Sequence, residues 1–231
     1  MRVFKFEEID STNKYLKSRK ELKNYDCVIA QTQTAGVGRR GNIWVSNMGM
    51  ALFSFALQED RSKEIEEYKR LPLIVGISVL SALKKIEDLD YKFKWTNDIY
   101  LEDKKLSGVL VEKIDDFFII GIGININNLD FGYAQESAIS LKKVTNRHYI
   151  IDDVIYCIIN EFKLYLEKEW TEILKEIEHY DYLLNRQIEV INDGKSLGVG
   201  IATGIDRDGK LSVNIAGESL KFDIGEIHIK K

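Results

Sequence analysis

The order of hydrophobic and polar positions divides the chain before residue 185 into strands and helices. Short apolar or alternating runs, each flanked by polar turn residues, are typical of strands. These predicted strands cover residues 3–9, 26–35, 42–57, 91–95, 104–112 and 117–127. Residues 73–83 follow Pro72, are almost wholly apolar or small, and predict a buried helix. Residues 152–180 carry apolar side chains at helical spacing and predict one or two amphipathic helices.

From residue 187 the pattern changes to short strands separated by tight turns. The strands are predicted over residues 188–191, 198–202, 211–215 and 219–222. This arrangement indicates a small C-terminal β-barrel of about 45 residues, whose limited core would lean on the larger domain. The sequence therefore predicts an α+β fold with two domains, residues 1–184 and residues 185–231.

Composition and charge argue against several classes of protein. The chain has 231 residues, of which 45% are hydrophobic, so a sizeable core is available. A net charge of -4 with no long basic run argues against a nucleic acid held by its backbone. The N-terminus is charged, and no apolar run approaches the roughly 18 residues that span a bilayer. We therefore expect neither a signal peptide nor a membrane segment.

Cysteine and histidine positions predict free thiols and no structural zinc. Cys27 and Cys157 lie far apart in the sequence, as is typical of a reducing, cytoplasmic compartment. The histidines at 148, 179 and 228 are scattered without metal-ligand spacing.

The most informative stretch is the loop of residues 34–44, T-A-G-V-G-R-R-G-N-I-W. Its glycines are Gly36, Gly38 and Gly41. Glycine allows the backbone to approach a ligand closely, and successive exposed N–H groups can hold an anion. Arg39 and Arg40 add donors whose geometry suits phosphate or carboxylate, and Trp44 offers a flat face for a base. Together they predict a loop that wraps an anionic, nucleotide-like ligand.

The glycine spacing of this loop also occurs in unrelated classes of protein. In dinucleotide-binding folds, G-x-G-x-x-G opens a helix, whereas a strand is predicted here. Protein kinases do place such a loop between strands, and residues 130–132, D-F-G, resemble their metal-binding tripeptide. The kinase H-R-D and A-P-E segments are absent from the sequence. A flexible hairpin loop with solvated arginines accounts for these residues, taken alone, equally well.

Polar residues elsewhere are candidates for the same site. Residues 10–13, D-S-T-N, are typical of a helix start, where their side chains either cap the helix or face a ligand. Gln33 ends a strand at the loop mouth, where an amide can both donate and accept. Asn97 and Asp98 suit a hairpin turn, and Asp98 would alternatively supply a carboxylate for Mg²⁺.

Glycines also occur inside the last strand of the larger domain. Gly121 and Gly123 alternate, so both point to one face, and Asn125 continues that face. Glycine weakens a strand unless backbone or ligand approaches closely. This face is therefore predicted to contact a ligand, or else to pack against a helix.

Taken in order along the chain, these motifs resemble those of the biotin protein ligase family. They are S-T-N from Ser11, Gln33, G-x-G-R-R-G-x-x-W from Gly36, K-W-T-N-D from Lys94, K-L-S-G-V-L-V-E from Lys105 and G-x-G-x-N from Gly121. The resemblance covers nearly the whole chain and is specific only as a combination. It implies a mixed-sheet catalytic domain of the class II aminoacyl-tRNA synthetase and biotin ligase type, with an SH3-like C-terminal barrel. The chain starts directly at that domain, so it resembles the monofunctional ligases without an N-terminal DNA-binding domain.

Two positions depart from the family pattern. Val37 stands where the family usually has an arginine, which removes one cation from the loop. Thr96 replaces a proline, which leaves the turn less fixed but removes no chemistry.

The resemblance implies an ATP-dependent ligase that forms biotinyl-5'-AMP and transfers biotin to a lysine of a biotin carboxyl carrier protein. The implied catalytic residues are Arg39, Lys105 and Asp98, and Asp98 is also the implied Mg²⁺ ligand. The implied biotin-binding residues are Ser11, Thr12, Asn13, Gln33, Gly36, Val37, Gly38, Arg39, Lys105, Gly108, Gly121 and Gly123. The implied nucleotide-binding residues are Arg39, Arg40, Trp44, Asn97, Lys105 and Asn125.

Two further functions are compatible with the sequence. A lipoate-protein ligase shares the fold and the adenylating chemistry, although the double arginine and the C-terminal barrel weigh against it. A non-catalytic biotin-binding protein is conceivable because of Val37. The expected partners are biotin, ATP and the carrier, for example that of acetyl-CoA carboxylase, with no nucleic acid and no membrane. A homodimer through exposed sheet edges is compatible with this interpretation.

Overall fold

Two β-sheets and the helices packed on them make up the structure. The computed structural model describes residues 1–192, 194–224 and 228–230. Its strands are β1 (Val3–Ile9), β2 (Cys27–Gln33), β3 (Met50–Gln58), β4 (Lys92–Lys94), β5 (Asp98–Leu101), β6 (Lys104–Ile114), β7 (Phe117–Asn125), β8 (Gln187–Asn192), β9 (Lys195–Ile205), β10 (Leu211–Ile215), β11 (Glu218–Phe222) and β12 (His228–Lys230). Its α-helices are α1 (Thr12–Lys17), α2 (Ile65–Lys69), α3 (Leu71–Ile86), α4 (Leu141–Thr145), α5 (Ile151–Leu166) and α6 (Trp170–His179).

The larger sheet has the order β1-β2-β3-β7-β6-β5-β4. β1 and β2 are parallel, and the other neighbours are antiparallel. β3 is an interior strand and is buried along its length up to Gln58, because helices cover both of its faces. Helix α5 packs on one face of β3, beside α3, and the short helix α1 packs on the other. A nearly continuous apolar strand is therefore expected here.

Strand alternation separates the large core from the face that carries the cleft. On β7, Ile120, Ile122 and Ile124 belong to the main core with α3 and α5. Gly121 and Gly123 lie between them and therefore face the side of α1. The sequence prediction of one shared glycine face is confirmed by this alternation.

The smaller sheet is antiparallel, with the order β11-β10-β9-β8-β12. Its buried side chains join the core of the larger sheet in one continuous apolar cluster. Two indole N–H groups also connect the two parts, since Trp95 donates to the Gly209 carbonyl at 3.0 Å and Trp170 donates to the Arg207 carbonyl at 2.6 Å. The prediction of a β-rich C-terminal region that packs against the larger domain is therefore confirmed. The domain boundary between residues 184 and 185 stays a prediction.

The structure corrects the sequence predictions in three places. The strand after the glycine loop begins at Met50, so residues 42–49 are irregular apart from one bridge of Ile43 to Val37. Asp98 is the first residue of β5 rather than part of the turn. Helix α4 has 5 residues, which is too short for apolar periodicity to predict it. Helix α2, also of 5 residues, lies within the charged residues 62–70, where the sequence predicts either a helix or a loop.

The described residues bear on two further features, membrane-spanning helices and the two cysteines. Within them, no helix is long and apolar enough to cross a membrane. Cys27 is buried and Cys157 partly buried, and both are free thiols. Burial raises the pKa of the Cys27 thiol to about 12, so it stays protonated and unreactive at neutral pH.

Candidate active site

A cleft opens on the glycine face of the larger sheet, between the start of α1 and the loop of residues 36–44, which we call the flap. The cleft has a cavity volume of about 200 Å³. The predicted residues that line it are Ser11, Thr12, Asn13, Gln33, Val37, Gly38, Arg39, Arg40, Trp44, Asn97, Asp98, Lys105, Gly108, Gly121 and Gly123. Segments that are far apart in the sequence therefore meet at one place.

The flap is a small hairpin with a tight turn at its tip. The Trp44 N–H donates to the Gly36 carbonyl at 2.9 Å, and the Gly38 N–H donates to the Asn42 carbonyl at 2.7 Å. The tip needs left-handed backbone, with φ of 54° at Arg40 and 74° at Gly41. Glycine adopts this conformation freely, which accounts for Gly41. The hairpin thereby holds Arg39 and Trp44 at the edge of the cleft.

Arg39 is anchored by a residue of the K-W-T-N-D motif. Its Nη1 donates to Asn97 Oδ1 at 2.9 Å. The Asn97 amide is itself fixed, because its Nδ2 donates to the Val109 carbonyl. Burial lowers the pKa of the Arg39 guanidinium, and Asp98 opposes this shift, so the group stays cationic at neutral pH. A positive charge is thus held inside the cleft by a neutral partner.

Lys105 supplies a second cation at the cleft. Its Nζ lies 2.8 Å from Asp98 Oδ1, and both side chains remain partly accessible, at 33% and 19%. The Lys105 ammonium also lies 5.4 Å from the centre of the Trp44 ring, within the range of a cation–π contact. Lys105 is therefore oriented by a carboxylate and an indole but remains reachable by a ligand.

The Trp44 indole lies directly across two strand glycines. A Cβ atom on Gly123 would come within 2.4 Å of the indole, and one on Gly108 within 3.0 Å. Gly108 and Gly123 are paired neighbours on β6 and β7, so together they form a flat seat for the ring. The indole Nε1 is buried without a hydrogen-bond partner among the described residues. Part of the predicted ligand floor is consequently covered by Trp44.

A polar network surrounds the start of α1. Gln33 Oε1 accepts from the Thr12 N–H at 2.8 Å and from the Thr12 hydroxyl at 3.1 Å. Gln33 Nε2 donates to the Ser46 hydroxyl at 3.2 Å. Ser11 caps α1, and its hydroxyl accepts from the Lys14 N–H at 3.5 Å. The amide of Gln33 is therefore fixed in one orientation relative to α1.

The Asn13 side chain is held by hydrogen bonds to two other side chains. Its Nδ2 donates to Glu112 Oε2 at 2.7 Å, and its Oδ1 accepts from the Ser54 hydroxyl at 2.6 Å. Glu112 in turn pairs with Lys17 at 2.7 Å. A Cβ atom on Gly121 would come within 2.1 Å of Asn13 Oδ1. Gly121 therefore carries no side chain because the Asn13 amide occupies that space.

Two predicted site residues do not line the cleft. Gly36 lies at the base of the flap, where a Cβ atom would come within 2.6 Å of the Ser46 hydroxyl. Asn125 lies behind Lys105: its Nδ2 donates to the Lys105 carbonyl at 3.4 Å, and its Oδ1 accepts from Asn128 at 3.1 Å. Its contact with a nucleotide stays a prediction.

The departures from the family pattern lie at the cleft as well. Val37 is 50% exposed and takes part in the bridge to Ile43, so its backbone serves the hairpin whatever its side chain is. Thr96 is buried, and its hydroxyl has no hydrogen-bond partner among the described residues.

Several residues at the cleft were not individually predicted to be site residues. The unpredicted lining residues are Asn42, Ile43, Lys94, Trp95, Thr96, Val109, Leu110 and Ile122. Ser54 and Glu112 hold Asn13 from outside the cleft lining. Ser54 carried a detectable signal, because a serine in the middle of an otherwise apolar buried strand requires a hydrogen-bond partner. Glu112 ends the K-L-S-G-V-L-V-E motif, but nothing in the sequence indicated its partner.

The arrangement can hold two anionic groups side by side. Arg39 offers a planar set of donors, and Lys105 offers a point charge with three N–H directions. At the other end, Thr12, Asn13 and Gln33 present a compact polar surface, with the Asn13 amide lying over Gly121. A ligand with a neutral polar head and an anionic tail matches this distribution.

Comparisons with known proteins point in the same direction. The model of the biotin/lipoate A/B protein ligase family matches residues 5–127. The bifunctional ligase/repressor BirA of Escherichia coli is 33% identical over 96% of this chain and 72% of its own length. The human biotin–protein ligase is 29% identical over 82% of this chain and 28% of its own length. The biotin protein ligase of Aquifex aeolicus, solved in complex with biotin and ATP, superposes with a TM-score of 0.90 at 29% identity, covering 100% of this chain and 99% of its own.

Proposed function

Because the chain belongs to the biotin/lipoate A/B protein ligase family and is an ATP-dependent biotin protein ligase, we propose that its cleft joins biotin to AMP beneath the flap. The observation that carries this assignment of roles is the convergence of Arg39 and Lys105 on one side of a cleft whose other side is polar and neutral. Biotin has a neutral ureido ring at one end and a carboxylate at the other, which matches this polarity.

In the first step, a carboxylate oxygen of biotin attacks the α-phosphorus of ATP. The bond from that phosphorus to its bridging oxygen breaks, and pyrophosphate leaves with the electron pair. The two reactants are both anionic, and two like charges about 4 Å apart near a protein surface repel by roughly 4 kcal/mol. Lys105 lies where it can touch both groups, so it offsets this repulsion and stabilises charge on the phosphoryl oxygens.

Arg39 holds the adenylate and keeps the flap closed over it. Its Nη1 bond to Asn97 ties the flap to the β4–β5 turn on the opposite side of the cleft. The same guanidinium has five N–H donors, so it can also donate a hydrogen bond to a phosphate oxygen. A closed flap excludes the water that would hydrolyse the mixed anhydride.

Magnesium would reach this site together with ATP. Within the described residues, no three histidine, cysteine or acidic side chains cluster into a metal site. Magnesium bound to a nucleotide needs only one or two protein carboxylates besides the phosphates. Asp98 fits this requirement, and a Mg²⁺ ion there would neutralise phosphate charge.

The ureido ring is assigned to the start of α1. The backbone and side-chain groups of Ser11, Thr12, Asn13 and Gln33 provide donors and acceptors for it. The missing side chain at Gly121 leaves room for the Asn13 amide that would face the ring. Val37, Gly38 and Gly108 border the biotin chain, and Gly36 supports the flap from below. Arg40, Trp44, Asn97 and Asn125 are assigned to the nucleotide side. Asn97 would act through Arg39, and Trp44 would supply its ring face to the adenine.

Gly121→Ala should weaken biotin binding because the added methyl group would displace the Asn13 amide. Overpacking of this kind costs about 1–3 kcal/mol, which corresponds to an affinity loss of about 5- to 150-fold. Isothermal titration with biotin measures the effect. Gly200→Ala is the matched control, since its Cβ would come within 2.4 Å of the Asn214 carbonyl, away from the cleft. Unchanged biotin affinity in the Gly121 variant, or an equal loss in both variants, would contradict the assigned pocket.

In the second step, the amine of a carrier lysine attacks the acyl carbon of biotinyl-AMP. An amide bond forms, AMP leaves, and the amine loses a proton. The step requires no covalent bond between biotin and the enzyme.

The carrier is proposed to be a biotin carboxyl carrier protein, such as that of acetyl-CoA carboxylase, in the cytoplasm. A homodimer through the edge strands β1 or β4 is a further proposal that sedimentation would test.

Ligand-dependent melting and pyrophosphate release together test the activity. Biotin should raise the melting temperature and lipoate should not. Pyrophosphate should appear only when ATP and biotin are both present. Stabilisation by lipoate would indicate a lipoate-protein ligase. Stabilisation by biotin without pyrophosphate would indicate a non-catalytic biotin-binding protein.

A further inference from the structure

A second loop contacts the flap from outside the cleft. It comprises residues 126–140, between β7 and α4, and includes a short 3-10 turn at Gly132–Ala134. The Tyr133 hydroxyl donates to the flap carbonyl of Ile43 at 2.5 Å. Just beyond the flap, Asn47 Nδ2 donates to the Asp130 carbonyl at 3.2 Å. The second loop therefore holds the flap at one point and the segment just after the flap at another.

The far end of the same loop is attached to Lys105. The Lys105 N–H donates to the Ser137 carbonyl at 2.8 Å, and the Ile139 N–H donates to the Lys105 carbonyl at 3.1 Å. One continuous segment thus contacts the flap at one end and the backbone of the proposed catalytic lysine at the other. The position of the flap and the position of Lys105 therefore both depend on contacts with the second loop.

The contact made by Tyr133 is not a consequence of core packing. Tyr133 is 75% exposed, and Ile43 is 69% exposed. Burial of apolar area therefore contributes little to holding these two residues together. A directional hydroxyl-to-carbonyl bond at the surface, joining two irregular segments, is a contact that a single oxygen atom controls.

We infer that Tyr133 is a positioning residue that latches the flap over the adenylate from outside the cleft. This inference rests on the proposed function, since it assumes that the flap retains biotinyl-AMP. The Tyr133 hydroxyl does not line the cleft and takes no part in phosphoryl transfer. Loss of the hydroxyl leaves Arg39, Lys105 and the biotin pocket in place and lets the flap open more often. Formation of the adenylate and its retention are therefore separable.

Tyr133→Phe tests the latch by removing one oxygen atom. The release rate of radiolabelled biotinyl-AMP from the preformed complex should rise about fivefold, a change typical of losing one hydrogen bond. The rate of pyrophosphate formation in the first turnover, at saturating ATP and biotin, should stay within about twofold of the unchanged chain, because Lys105 is untouched. Labelling of a bystander protein without a carrier domain should rise in parallel with release.

Tyr68→Phe is the matched control. The Tyr68 hydroxyl also donates to a backbone carbonyl, that of Asp60, at 3.4 Å and away from the cleft. The Tyr68→Phe variant should release biotinyl-AMP at the same rate as the unchanged chain. Equal release rates for the Tyr133 variant and the unchanged chain, or increased release in both variants, would overturn the latch. Failure of the unchanged chain to form any biotinyl-AMP would instead overturn the proposed function. A melting temperature equal to that of the unchanged chain excludes a general loss of structure in either variant.

Discussion

Lys105→Ala should slow the formation of biotinyl-AMP by about 100- to 1000-fold, the usual cost of losing one preorganised charge contact in a transition state. Lys105 lies at the start of β6, with its backbone held by Ser137 and Ile139 and its ammonium paired with Asp98 at 2.8 Å. Without the ammonium, the carboxylate of Asp98 would face two anionic substrates unpaired. Pyrophosphate release at saturating ATP and biotin is the measurement.

Lys104→Ala is the control for this experiment. Lys104 is the adjacent residue on β6 but does not line the cleft, so its variant should retain the rate within about twofold. A Lys105 variant that forms adenylate at more than roughly one third of the normal rate would remove Lys105 from the mechanism.

The double variant Lys105→Ala, Asp98→Ala separates two roles of Asp98. If Asp98 only orients Lys105, the double variant should be no slower than the single Lys105 variant, because the two residues act as one unit. If Asp98 also binds nucleotide-associated Mg²⁺, the double variant should be slower and should need more magnesium for half-maximal rate. The magnesium dependence of pyrophosphate release gives this distinction.

Arg39→Gly should let biotinyl-AMP escape from the cleft about 10- to 100-fold faster. A hydrogen bond to a charged group contributes about 1.5–3 kcal/mol, and the substitution also removes the bond to Asn97 that ties down the flap. The released adenylate should then label exposed lysines on bystander proteins. Release of radiolabelled adenylate and labelling of a non-carrier protein are the two measurements.

Arg39→Lys is the conservative comparison. It keeps the positive charge but loses the planar set of donors, so it should retain the adenylate better than the glycine variant and worse than arginine. Rapid labelling of only the carrier lysine by the glycine variant would contradict the role of Arg39 in retention.

The sequence predicted the elements that depend on local pattern. Hydrophobic alternation placed the strands of the larger sheet, and the apolar run after Pro72 placed the buried helix α3. The alternation of Gly121 and Gly123 predicted a shared face that something approaches closely. These features follow from neighbouring residues, so a single sequence is sufficient to find them.

Contacts between distant segments could not be predicted in the same way. The glycine face carries the Asn13 amide at Gly121 and the Trp44 indole at Gly123, and neither partner is indicated by the spacing of the glycines. Which side chain reaches which glycine depends on the register of β3, β6 and β7 and on the angle of α1. The same limit applies to Tyr133, whose partner Ile43 lies 90 positions away.

A crystal structure of the chain with bound biotinyl-AMP tests the central claim most directly. The expected result is that residues 36–44 close over the adenylate, with Arg39 and Lys105 within hydrogen-bond distance of its phosphate and Asn13 beside the ureido ring. An adenylate bound elsewhere, or bound here with the flap turned away and neither cation in contact, would contradict the account.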